Sequence, residues 1–139
     1  VTGAGKTSHT SWIDALLTPD GQALLAELAE RPPTRETEIG LITRLRARFD
    51  ATLVTAAVEQ AALRVRAQSK FSNASRMYFT RAGLEQASSE RMARHHAHRY
   101  ADFNRMGDLC TGIGGDLIGL AAGREVIAVD VDPVHAWLS

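Results

Sequence analysis

One cysteine, Cys110, stands among 139 residues, so no disulfide framework can form within the chain. No apolar run approaches the eighteen or so residues of a membrane span. No charged start leads into an apolar stretch with a small-residue cleavage site, so a secretory signal is not expected. These absences predict a cytoplasmic protein that stays off membranes. Aromatic residues make up only 6%, and no aromatic ladder for stacking single strands is present. Net charge is also missing, because 16 Lys and Arg balance 16 Asp and Glu. What remains is an apolar share of 45%, enough for a packed core and against wholesale disorder.

The balanced charge is unevenly spread. Residues 44–81 hold Arg44, Arg46, Arg48, Arg64, Arg66, Lys70, Arg76 and Arg81 against Asp50 and Glu59. Residues 101–139 hold only Arg105 and Arg124 against six acids. A basic middle and an acidic end predict different partners for the two parts. The basic helices over 44–81 are candidates for tracking an RNA backbone, and a plain solvated helix surface is the alternative.

The first hundred residues read as helices. Thr18-Pro19-Asp20 is a start signal: a capping hydroxyl, then a proline where no N–H is needed. That helix should run to about Glu30 and stop before Pro32-Pro33. Thr34 can cap a second helix, with Leu41, Ile42, Leu45 and Phe49 on one face. Asp50 can cap a third, where Val54, Val58, Ala61 and Val65 recur at helical spacing. Residues 71–87 read as irregular, with Asn73, Ser75 and Gly83 as breakers. A fourth helix is predicted from about Ser89 to Phe103, with Met92, His96, Tyr100 and Phe103 on a packed face.

After Asn104 the grammar changes. Met106–Cys110 is a candidate strand, Thr111–Gly115 a glycine turn and Asp116–Ala122 a helix that Gly123 ends. Glu125–Asp130 is a β-rich strand, and Pro133 opens a last helix. Strand, turn, helix and strand make a βαβ unit. The expected organisation is a flexible tail over 1–17, a helical module over 18–104 and an incomplete α/β domain over 105–139.

The chemistry concentrates in Asp108-Leu-Cys110-Thr-Gly112-Ile-Gly114-Gly115-Asp116 and in Asp130-Val131-Asp132. Ligands of open α/β sheets sit at the carboxyl ends of strands. Glycines there let a ligand approach the backbone. An acid at the end of the second strand can accept from both ribose hydroxyls, and Asp130 stands there, eighteen positions after Gly112. A dinucleotide fold wants a third glycine at position 117, where this chain has Leu117. Asp116 also sets a negative charge where a pyrophosphate would sit. S-adenosylmethionine has no phosphate, and its ammonium suits an acid such as Asp108 before the turn. The residues therefore favour S-adenosylmethionine over NAD, with a glycine turn used only for packing as the plain alternative.

The run DLCTGIGGDLIGLAAGREVIAVDVDPVH resembles the motifs that run from the first strand to the post-strand acidic loop of class I methyltransferases. It is most similar to the trimethylguanosine-synthase-like RNA methyltransferases and their bacterial relatives. Residues 88–99 resemble the helix that precedes the first strand in that group, and the likeness spans about residues 77–138. The resemblance implies an α/β, Rossmann-like fold, truncated here after its first βαβ unit. It implies that Asp108, Gly112 and Gly114 shape the methionine side, with Cys110 and Gly115 in the same turn and Asp130 on the ribose. Val131 and Asp132 would lie near the adenine. Ser88 stands where the leader motif has a threonine. The acceptor implied is RNA or another nucleobase amine.

Members that methylate an exocyclic amine share a [DNS]-P-P-[WYF] motif on the fourth strand, and these 139 residues hold none. The chain alone is therefore expected to be inactive, with no catalytic residue assigned. A missing C-terminal half or a second chain is expected to complete the sheet. A non-catalytic module binding nucleotide, RNA or a partner is the rival reading. Three other signals carry less. Gly3-Ala-Gly5-Lys6-Thr7-Ser8 echoes the end of a P-loop but has no first glycine or preceding strand. His95, His96 and His98 lack a third metal ligand, so no metal is expected. Cys110 has no activating base and reads as packing.

Overall fold

The computed structural model describes residues 11–34 and 36–139. The P-loop-like stretch Gly3–Ser8 lies outside the described residues. The chain is mixed helical with one two-stranded parallel sheet, and it divides into two compact units at Val65 and Arg66.

In the first unit, α1 (Ser11–Leu16) and α2 (Pro19–Glu30) are joined by a tight corner. Thr18 caps α2 by accepting from the Gly21 N–H at 3.1 Å, and Pro19 occupies the first turn as its lost donor allows. Here the expectation of a tail over 1–17 is corrected: from Ser11 the chain is helical, and Ile13 and Leu16 are fully buried. Two apolar side chains three positions apart sufficed to hold one helical turn against its neighbours. Ahead of α3 (Glu38–Arg46), Thr34 and Thr37 each donate a backbone N–H to the other's hydroxyl, at 3.1 and 3.4 Å, so the cap predicted at Thr34 takes the form of a leading turn. Of the predicted α3 face, Leu45 is buried, while Leu41, Ile42 and Phe49 are half-buried.

The long helix α4 (Ala51–Ala67) starts at Asp50, whose carboxylate accepts from the Thr52 and Leu53 N–H groups at 2.8 and 3.3 Å. Those two donors hold the Asp50 carboxyl below its ordinary range. Val54, Val58 and Ala61 are buried as the spacing predicts, but Val65 is exposed.

In the second unit, residues 71–87 are more ordered than their breakers suggested. A 3-10 turn (Ala74–Arg76) is followed by α5 (Arg81–Gln86), which Thr80 caps through Gly83. Phe71 and Phe79 stack at 5.8 Å between ring centres, and both are buried. Lys70 closes the far end of α5, its ammonium donating to the carbonyls of Leu84, Glu85 and Ala87 at 2.7, 3.1 and 2.8 Å. A lysine there satisfies carbonyls that the helix leaves unpaired.

Helix α6 (Glu90–His98) begins at Ser89 and ends five residues before the predicted stop. Its buried face is also not the predicted one. Met92, Tyr100 and Phe103 are exposed, and the buried residues are Ala93 and Ala97. The reason lies across the contact, in α7 (Leu117–Leu120), where a Cβ on Gly119 would run into the Ala93 carbonyl. Backbones this close admit only small residues, so alanines face inward and the large side chains turn away.

Strands β1 (Arg105–Asp108) and β2 (Glu125–Ala128) pair in parallel, with Arg105 opposite Glu125 and Asp108 opposite Ala128. The ladder continues beyond the carboxyl ends of both strands, since Val129 N–H donates to Asp108 O at 2.8 Å and Thr111 N–H to Val129 O at 3.1 Å. The one-turn α7 is shorter than the helix predicted over 116–122. The last element is α8 (Pro133–Leu138), capped by Asp132 through Val134. The unit boundary differs from the division at 104 and 105 because α5 and α6 pack on the β–α–β segment. A Cβ on Gly83 would run into Ile113, and Thr80 Oγ1 meets His135 Nε2 at 3.1 Å. No helix among the described residues is long and apolar enough to cross a membrane.

Candidate functional site

The carboxyl ends of β1 and β2 meet at the glycine turn. Gly112 has φ +56°, a left-handed conformation that glycine adopts without steric cost, and a Cβ built there would touch nothing within 4 Å. The turn is therefore left-handed and open at this residue. Asp130, eighteen residues on, closes it. Asp130 Oδ2 accepts from the Gly112 N–H at 2.8 Å, and Oδ1 accepts from the Asp132 N–H at 2.9 Å. These donors, Asp132 first and Gly112 second, hold the Asp130 carboxyl below its ordinary range. It is a carboxylate at neutral pH, and each oxygen keeps a lone pair for a further donor.

The other predicted site residues fall into distinct roles. Asp108 Oδ1 accepts from the Cys110 N–H at 3.3 Å, and the Cys110 thiol is exposed, not packed. Gly114 is buried with φ +79°, under Leu117 and Ser139. Gly115 is buried where a Cβ would press on Ala87 and on the Ser88 backbone. Both therefore serve close packing, and Gly112 alone faces open space. Val131 is fully exposed at the rim, and the Asp132 carboxylate is used in capping α8. Ser88 points its hydroxyl at Asp116 Oδ2, at 3.3 Å.

Asp116 also meets His96 Nδ1 at 2.9 Å, so His96 is half-exposed and hydrogen-bonded where an apolar core position was predicted. Charge at this helix start goes to fastening α6 and the 87–89 segment to α7. A pocket of about 410 Å³ lies beside this contact, with His96, Tyr100, Asp108 and Asp116 in its wall. Asp108 joins the pocket to the turn, whereas Gly112 and Asp130 are not part of its lining. Among the described residues no three His, Cys, Asp or Glu side chains gather as a metal site.

Two features escaped sequence reasoning. Thr111, directly before Gly112, is buried, and its Oγ1 has no hydrogen-bond partner among the described residues. Nothing local announces that, because burial of one hydroxyl depends on what packs over it. The Ser88–Asp116–His96 contacts join residues 20 and 28 positions apart, with no spacing to reveal them. The basic stretch is partly committed: Arg48 pairs with Glu27 at 3.2 Å, Arg66 with Glu85 at 3.4 Å, and Lys70 closes α5.

The fold thus defines a mixed helical chain that ends in a parallel β–α–β segment with a carboxylate-braced glycine turn. A family described as a domain of unknown function (DUF8688) matches residues 10–67, a stretch that ends in α4 and does not reach the turn. No curated protein matches the chain, and no solved structure does.

Proposed function

We propose that the chain carries the S-adenosylmethionine-binding front of a class I, Rossmann-like methyltransferase of the cytoplasm, whose acceptor is RNA or another nucleobase amine. One observation carries this reading: the Gly112 N–H to Asp130 Oδ2 bond of 2.8 Å, which sets a carboxylate against an open left-handed glycine. A ribose presents two neighbouring hydroxyl donors, and Asp130 has two oxygens with lone pairs to spare. Gly112 leaves room for the ligand to lie on the backbone. Asp108 lines the neighbouring pocket, and its carboxylate could pair with an ammonium. Val131, fully exposed, offers an apolar edge for a flat base. The one-turn α7, with Asp116 at its start, is a poor seat for a phosphate.

When bound, the cofactor supplies an electrophilic sulfonium methyl. The residues of this chain bind and orient it, and such catalysis rests mostly on positioning. None of them is assigned to the acceptor.

Titration calorimetry with S-adenosylhomocysteine tests the reading. Saturable one-to-one binding is expected, weakened at least tenfold in Asp130→Asn with the fold intact by circular dichroism. A folded sample that gives no heat favours a non-catalytic module instead.

A further inference from the structure

A second cavity, of about 500 Å³, lies wholly within the first unit, between α2 and α3. It is within the size range of small-molecule sites. Its floor is apolar: Leu28 and Leu45 are each 2% exposed, and Leu41 is half-buried. Arg31, Arg44 and Arg48 line it, and Glu27 is the one acidic residue among its lining.

Arg48 is fixed and neutralised. It meets both Glu27 oxygens, at 3.2 and 3.3 Å, and its guanidinium lies 5.0 Å from the centre of the Phe49 ring. Arg31 and Arg44 have no ion pair among the described residues. Two arginines without such a pair thus line one apolar-floored cavity. Like charges brought together repel, and low-dielectric walls focus their field on whatever enters. An oxyanion relieves that repulsion, and an apolar body covers the accessible side of Leu41 and Pro32.

We infer that this cavity binds a small organic anion, an apolar group bearing a phosphate or carboxylate head, with Arg31 and Arg44 on the head and Leu41 and Pro32 against the body. The site is separate from the glycine turn and stands whether or not the turn holds a cofactor.

Nuclear magnetic resonance of the arginine side chains, on the whole chain, tests it with phenyl phosphate and phenylacetate as probes. The two probes distinguish a phosphate from a carboxylate head. Saturable shifts at Arg44 are expected with at least one of them. Inorganic phosphate and phenol, each lacking half of the chemistry, should bind at least tenfold more weakly. The double variant Arg31→Ala/Arg44→Ala should lose at least tenfold in affinity, and Arg46→Ala, outside the cavity wall, should not. Absence of saturable shifts with both probes overturns the inference. So does inorganic phosphate binding as well as the better probe, or an equal loss in Arg46→Ala. An oligoribonucleotide that alone shifts these arginines, with Arg46→Ala as damaging as Arg44→Ala, also overturns it in favour of a basic surface for RNA.

Discussion

The helices of the first unit and the β–α–β segment of the second use similar apolar residues to different ends. In the first, Ile13, Leu16, Leu24 and Val54 are fully buried. In the second, Leu109 is 73% exposed, Ile127 50% and Val131 100%. Parallel strands gain stability when both faces are covered, and two strands alone bury little. The candidate cofactor site therefore sits at the carboxyl end of a strand pair whose apolar residues are largely exposed. The bulk of the packing lies in helices remote from it in sequence. Segments with few buried apolar contacts open most readily, which suits a ligand site.

The largest test of that contrast is a pair of truncations. Leu24→Ala should cost about 2–5 kcal/mol in urea unfolding, as buried leucines do. Ile127→Ala should cost less than about 1 kcal/mol, because half of the side chain is in water already. Equal losses would break the comparison.

A glycine pair sharpens it next. Gly119→Ala should destabilise by about 1–3 kcal/mol, since the new methyl meets the Ala93 carbonyl. Gly40→Ala, whose Cβ would meet only Arg44 Nη1 at 3.8 Å, should stabilise α3 by about 0.5–1 kcal/mol. A loss in Gly40→Ala would show that α3 is packed as tightly as the α6–α7 contact.

Acid should act on both regions with the same sign. Asp50 and Asp130 both titrate below their ordinary range in the folded chain. Their contribution is complete above the ordinary aspartate value of about 3.9 and is lost as pH falls through the lower folded values. Thermal melts of Asp50→Ala and Asp130→Asn should therefore fall below wild type at pH 7, and the gap should narrow below about pH 3. A gap that widens in acid would contradict the backbone bonds given to either carboxylate.

The smallest effect is expected at Thr111. Its buried hydroxyl has no partner among the described residues, so Thr111→Val should be neutral or stabilising by up to about 1 kcal/mol. A loss above about 2 kcal/mol would mean that the hydroxyl is hydrogen-bonded.

Much of the secondary structure was legible because its signals are local. The caps at Thr18 and Asp50 act within three residues, so a capping side chain before an apolar-periodic run identifies the helix start. The glycine turn around Gly112 was legible for the same reason, though not its left-handed φ. The face of α6 was not. Met92, His96, Tyr100 and Phe103 form the more hydrophobic stripe, yet close approach to Gly119 selected Ala93 and Ala97. Lys70 reads from sequence as one more basic residue, and only its contact with three carbonyls makes it structural.

The sequence by itself determined where helices begin, where glycine frees the backbone and which acids stand near the turn, because those depend on neighbours a few bonds away. Only the tertiary structure decided that the Asp130 carboxylate reaches the Gly112 amide, that Asp116 is taken by His96 and Ser88, and that three arginines share one cavity. Each of those contacts closes a long loop of chain. Its geometry is set by how strands and helices pack, which no local spacing encodes.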